Sequence, residues 1–142
     1  MTRFCVNAAF FDTNIVFYAA NRDGSSKWET SRALLQARRV VVSTQVLMET
    51  YAALLKKLKL APAQAREWVA MLAQETVTAV EPDDVRAALE TADRFQISHW
   101  AGLILRAAEK TGLDLVYTED LNHGQTYGPV RVCNPFIEDF LA

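Results

Sequence analysis

Glycine and proline are scarce, at five and four residues in a chain of 142. They cluster nowhere, so the sequence has no linker, and it has no low-complexity segment or internal repeat. A single domain over residues 1–142 is the expectation. Long hydrophobic runs are also missing, because Lys and Arg interrupt every candidate, which excludes a membrane-spanning helix and predicts no membrane association. Met1 to Cys5 lacks the apolar stretch and small-residue cleavage site of a secretion signal, so a cytoplasmic protein is expected. Cysteine and histidine are nearly absent. Cys5, Cys133, His99 and His123 show no CxxC or HxxxH spacing, which argues against zinc, and the two cysteines read as reduced, buried thiols rather than a bridge. Positive charge is not in excess either: 15 Lys and Arg face 17 Asp and Glu, for a net charge of −2. That balance excludes passive coating of nucleic acid, yet it suits an enzyme that meets phosphates through bound cations.

What is present is a globular composition, 51% hydrophobic and 23% charged, sufficient for a core without staples. Ala8-Ala9-Phe10-Phe11 reads as a buried strand ending at Asp12, followed by a helix from about Asn14 to Ala20. A second helix is predicted over Trp28–Arg38, with Ala33, Leu34 and Ala37 inward, and a β-branched strand over Val40–Val42. Ser43 or Thr44 caps the next helix, which runs to about Lys59 with Leu47, Tyr51, Leu54, Leu55 and Leu58 on one face. Pro62 opens a helix that repeats Ala65, Trp68, Val69 and Leu72, and Thr76–Val80 reads as a third strand. Pro82 starts a helix whose buried side is expected at Val85, Ala88, Leu89 and Ala92. Ser98 caps a last helix from His99 to about Lys110, with Gly112 past its end. Asp114–Tyr117 and Val130–Cys133 complete the strands. The alternation predicts an α/β fold, a three-layer α/β/α sandwich around a mostly parallel sheet of about four to five strands.

In such sheets the site lies beyond the carboxyl ends of the strands, and acids stand there. Asp12 ends the first strand and Glu119-Asp120 the fourth, while Glu49 lies one helix from the second. Adjacent strands are about 5 Å apart, so these carboxylates are placed to share a hard divalent cation. Each residue also has a plain structural reading. Asp12 suits an N-cap, Glu49 lies off the Leu47–Tyr51–Leu54 stripe on either a solvent face or a cleft wall, and Glu119-Asp120 suits a turn. No Gly-rich phosphate loop follows the first strand, which disfavours a nucleotide-binding domain of that kind.

Phe10-Phe11-Asp12-Thr13-Asn14 resembles the opening signature of PIN domains. Val42 to Glu49 resembles the second segment of that family, Tyr117 to Gly124 the fourth, and Asn134-Pro135-Phe136 its usual close. The segments stand in family order across almost the whole chain. The resemblance implies a Mg²⁺- or Mn²⁺-dependent endoribonuclease, most often the toxin of a VapBC-type toxin–antitoxin pair. It assigns Asp12, Glu49 and Asp120 to the catalytic metal site, with Asn14 and Thr118 as polar supports and Glu119 as a supporting neighbour. It further implies an RNA substrate, a cognate antitoxin that pushes a basic side chain into the acidic cleft, and a homodimer.

One segment departs. The family's third motif is Ser, two residues, then Asp, whereas here it is Ser98-His99-Trp100-Ala101, and Ala101 offers no ligand. A deliberately inactivated variant, a natural member that binds without cutting, and compensation by Glu119 or His99 are the three explanations. His99 points elsewhere on the helix. Asp93 reads as solvated, and Lys56-Lys57-Leu58-Lys59 and Arg38-Arg39 as solvated helix ends or phosphate contacts. The leading expectation is therefore an RNA phosphodiester hydrolase fold weakened at Ala101. The alternative is a non-catalytic RNA- or protein-binding module.

Overall fold

The computed structural model of the chain describes residues 8–137. Cys5, expected as a reduced, buried thiol, lies outside the described residues, while Cys133 is buried. The elements in chain order are β1 (Ala8–Phe11), α1 (Thr13–Ala20), α2 (Ser26–Ala37), β2 (Arg39–Ser43), α3 (Thr44–Lys56), α4 (Pro62–Leu72) and β3 (Thr76–Thr78). They continue with α5 (Pro82–Phe95), α6 (His99–Lys110), β4 (Leu115–Tyr117), β5 (Thr126–Tyr127) and β6 (Val130–Cys133). The sheet order is β3-β2-β1-β4-β6-β5. All pairings are parallel except β5 against β6.

Strand order reverses between β1 and β4. The chain steps outward from β1 to β3 and then crosses back. Right-handed crossovers therefore put α1 to α4 on one face of the sheet and α5 with α6 on the other. A sheet covered on both faces needs strands apolar on both sides, and β1 is buried at all four positions. Phe10 sits beside Val41 on one neighbour and Val116 on the other. These residues, with Ile15, Leu34, Val46, Ile104 and Val132, form the core.

Three expectations need correction. β5 is an extra two-residue strand, paired antiparallel with β6 through Tyr127 and Val130, and too short to leave a periodic signal in sequence. In α3 the fully buried positions are Val46, Thr50 and Leu54; of the expected stripe Leu54 is buried and Leu47 packs against the core, but Val46 and Thr50 were not expected, and the helix ends at Lys56, three residues early. In α5, Val85 and Leu89 are exposed, at 45% and 54%, while Asp84 is buried at 4%. The acid faces inward because α6 supplies its counter-charges: Arg106 Nε donates to Asp84 Oδ1 at 2.9 Å and Lys110 Nζ to Oδ2 at 2.6 Å. Asp84 also accepts from the Glu81 N–H at 2.9 Å, closing the first turn of α5. Burial alone would raise the Asp84 carboxyl, but these donors hold it at about 2. The two helices approach backbone to backbone at Gly102, where a side-chain carbon would collide with the Ala88 carbonyl oxygen; only glycine fits there.

Local capping follows the sequence closely. Ser43 rather than Thr44 caps α3, accepting from the Val46 N–H at 3.3 Å, and the Thr44 hydroxyl instead accepts from Val80 N–H at 3.1 Å. Ser98 accepts from Ala101 N–H at 3.0 Å, as expected for the cap of α6.

Candidate metal-type acidic site

The break in strand order opens a cleft of about 590 Å³ at the carboxyl ends of β1 and β4. The Asp12 N–H donates to the Tyr117 carbonyl at 3.1 Å, extending the β1–β4 pairing one residue beyond β1. Asp12 is thereby fixed beside Thr118. It is both things the sequence offered: the N-cap of α1, accepting from Thr13 N–H at 2.6 Å, and a wall of the cleft.

Thr118 is fully buried and is the hub of the site. Its hydroxyl donates to Asp12 Oδ2 at 2.8 Å and accepts from Asn14 Nδ2 at 3.2 Å and from the Asp120 N–H at 3.1 Å. Asn14 Nδ2 also donates to Asp120 Oδ2 at 3.1 Å. The two supports expected from sequence thus tie the ends of β1 and β4 together. Glu49 reaches the cleft from α3, where Thr13 Oγ1 donates to it at 2.8 Å and Gln45 Nε2 at 3.1 Å. Of its two readings, the cleft wall is the one realised.

Ala101 lines the same cleft as Asp12, Glu49 and Asp120. Its methyl group occupies the α6 side of the site and contributes no polar atom. Glu119, by contrast, is engaged elsewhere: Lys27 Nζ donates to Oε1 at 2.8 Å and the Tyr18 hydroxyl to Oε2 at 2.6 Å. Hydrogen bonding to Glu119 raises the Lys27 ammonium. Lys27 also lies over the rings of Tyr18 and Phe136, at 4.7 and 5.3 Å. A carboxylate already satisfied by an ammonium and a phenol is a poor substitute for the acid missing at 101. His99 is exposed and lies tilted against Trp100, with ring centroids 5.0 Å apart, so it does not compensate either.

Burial pushes the Asp12 carboxyl up to about 6. The Thr118 and Thr13 hydrogen bonds oppose that shift, and the nearby charges of Asp120 and Glu49 add to it. Three carboxylates around one cleft, one of them desolvated, leave negative charge that a cation would offset. The donors are hard oxygens, which suit a small divalent ion. Two buried neutral oxygens in the same wall, Asn14 Oδ1 and Gln45 Oε1, have no hydrogen-bond partner. The donor set therefore fits a hard cation, with Asp12, Glu49 and Asp120 as the residues able to hold it. Among the described residues no three His, Cys, Asp or Glu side chains stand close enough together to hold a metal ion as placed; Thr13 and Gln45 hydrogen-bond Glu49, and Asn14 one oxygen of Asp120.

Some neighbours of the site were legible in the sequence reading and some were not. Gln45, on the Glu49 face of α3 one helical turn before it, lines the cleft. Lys56 and Lys57, read there as either solvated or phosphate-facing, line the cleft beyond Glu49 on α3. Lys27 and Tyr18 had no signal, since their link to Glu119 spans the chain.

Comparison with solved structures gives the same architecture. The sarcin-ricin-loop-cleaving toxin VapC20 of Mycobacterium tuberculosis superposes with a TM-score of 0.64 at 20% identity, covering 77% of this chain and 87% of that one. A toxin–antitoxin complex from Klebsiella pneumoniae matches with a TM-score of 0.64 at 18% identity, over 80% and 89% of the two chains. VapBC2 of Rickettsia felis, bound to a promoter DNA fragment, matches with a TM-score of 0.63 at 16% identity, over 88% and 96%. No curated protein matches the chain in sequence. At these identities the likeness is one of fold. The PIN domain, however, matches in sequence over residues 9–129, the span from β1 through the acidic cleft to β5, and the chain accordingly belongs to the PIN-domain family.

Proposed function

We propose that the chain is a Mg²⁺- or Mn²⁺-dependent endoribonuclease, the toxin of a VapBC-type toxin–antitoxin pair, impaired as written because Ala101 stands at a metal-site position. The observation that carries this reading is the meeting of Asp12, Glu49, Asp120 and Ala101 in one cleft at the strand-order break, with Asp12 pushed up to about 6. Asp12, Glu49 and Asp120 would hold the ion, which supplies activation of water near neutral pH and neutralises charge on the phosphodiester. Thr118 orients Asp12 by donating to it, and Asn14 orients Asp120. Without an acid at 101, α6 would offer the ion no carboxylate, and a misplacement of about 1 Å costs on the order of 10²-fold in rate.

The test is gel analysis of a mixed RNA pool with and without EDTA. The unmodified chain should cleave slowly or not at all, and Ala101→Asp should restore EDTA-sensitive cleavage. Robust EDTA-sensitive cleavage by the unmodified chain would defeat the assignment of Ala101 as the lesion. Absence of cleavage by Ala101→Asp would favour the second reading, a binding module on the same fold. Titration calorimetry should also show tighter Mn²⁺ binding by Ala101→Asp, by at least the roughly 10–100-fold that a lost supporting residue costs.

Two of the structural neighbours are toxin–antitoxin assemblies by description, a Klebsiella complex and the Rickettsia VapBC2. This supports an antitoxin partner whose basic side chain enters the acidic cleft, where a desolvated Arg–carboxylate contact is directional and strong. We extend the same reading to a homodimer and to action in the cytoplasm. Among the described residues no helix is long and apolar enough to cross a membrane.

A further inference from the structure

We infer that Trp100, Lys56 and Lys57 are the residues that position RNA in the cleft, Trp100 by stacking on one unpaired base and the two lysines by meeting the flanking phosphates. The inference rests on the RNA-directed reading above and adds the residues that would select the substrate's form.

Trp100 is 58% exposed, an unusual state for the largest apolar side chain. It lines the cleft next to Ala101, and among the described residues its one aromatic neighbour is the His99 ring, tilted with centroids 5.0 Å apart. Most of an indole face is therefore left open at the edge of an acidic cleft. Acids alone would repel a polyanion, but α3 carries its own remedy. Beyond Glu49 its cleft-facing row continues through Ala52 and Ala53 to Lys56 and Lys57. Seven residues of helix span about 10 Å. The lysines are thus set apart from the carboxylates, where they meet a phosphate flanking the one at the acids. Among the described residues neither lysine has an ion-pair partner; Lys57 Nζ lies over the Phe17 ring at 5.4 Å. The small alanines between Glu49 and the lysines leave the strand's path open.

An open indole beside unpaired ammonium groups is the pairing that binds single strands: the aromatic face stacks on a base, and the cations track the backbone. A duplex cannot use it, because its base faces are already stacked on one another. A loop or other unpaired segment of a folded RNA can. The two lysines beside the indole favour this occupant over a protein segment at Trp100, since they offer ammonium groups to the phosphates on either side of a stacked base.

Fluorescence anisotropy in EDTA separates binding from cleavage. The probe is a 5′-fluorescein oligoribonucleotide of about ten mixed nucleotides, a length within the usual single-strand site range, used alone and annealed to its complement. The single strand should bind more tightly than the duplex. Trp100→Ala should weaken single-strand binding by roughly 5- to 150-fold, the range for one stacked base, and Trp100→Phe should recover most of it. The double change Lys56→Ala/Lys57→Ala should reduce the slope of log affinity against log salt by about 1.4, two phosphate contacts on a single strand. Equal affinity for single strand and duplex would overturn the inference. So would an unchanged affinity in Trp100→Ala, which would leave the indole to a protein partner. Neither outcome touches the cleavage reading, because Ala101→Asp can be assayed for EDTA-sensitive cleavage with Trp100 in place.

Discussion

Two aspartates, one at the carboxyl end of β1 and one in the first turn of α5, are held in opposite protonation regimes. Asp84 and Asp12 are both largely removed from water, and burial pushes both carboxyls upward. Asp84 nevertheless sits at about 2 and Asp12 at about 6. The difference lies in what each one meets. Asp84 has an ammonium, a guanidinium and a backbone N–H. Asp12 has a hydroxyl and one N–H for donors, and two further carboxylates as neighbours. A buried acid with its counter-ions in place fastens helices together. One whose counter-ion is missing from the chain is a place for something else to bind, and only the neighbours distinguish them.

One and the same substitution, acid to amide, separates the two cases. Asp84→Asn should give the largest change, a loss of about 3 kcal/mol, the low end for breaking a buried pair because Arg106 and Lys110 are themselves partly exposed. The sign of its pH dependence follows from a depressed pKa. The stabilisation is complete above the ordinary carboxylate value and fades as pH falls towards about 2. Denaturant melts at pH 7 and pH 3 should show the gap between the two proteins narrowing at the lower pH, and a constant gap would remove the ion pair from the explanation.

Asp12→Asn should act in the opposite direction. Its folded pKa is raised from 3.8 to about 6, so the wild-type fold holds a proton that the unfolded chain has lost across that window, and its stability falls as pH rises through it. In EDTA the variant should therefore be more stable than wild type at pH 8, by about 1–2 kcal/mol after discounting the hydrogen-bond acceptor that an amide lacks. At pH 4 the advantage should vanish. Saturating Mn²⁺ should reverse the order at pH 8 by stabilising only the protein that retains the carboxylate. Thermal melts in the four conditions check this, and a variant less stable in EDTA at pH 8 would mean that Asp12 is not electrostatically frustrated.

Glu119→Gln should give the smallest effect. Its partner Lys27 is 43% exposed, and such pairs contribute less than about 1 kcal/mol. The loss should shrink further in high salt. A loss of several kcal/mol would show that Glu119, like Asp84, fastens the fold, and would place the Lys27 cluster with the structural acid rather than beside the site.

The sequence alone determined what depends on near neighbours in the chain. Strand ends at Asp12 and Thr118, the Ser98 cap of α6 and the position of Ala101 on its first turn were all legible, because caps and short apolar strands are written in a few consecutive residues. The family motifs marked Asp12, Glu49 and Asp120, since Asp12 and Asp120 come just after their strands and Glu49 stands in the second turn of α3. Tertiary structure decided which helix faces are buried. Val85 and Leu89 carry the apolar periodicity of α5, but Arg106 and Lys110 on α6 draw Asp84 inward and turn those two side chains out. It also decided that Glu119 belongs to Lys27 and Tyr18, and that Thr118 joins Asp12, Asn14 and Asp120 in one network. Most of those links join residues about a hundred positions apart in the chain, and no local pattern encodes a contact that exists only after β1 and β4 have paired.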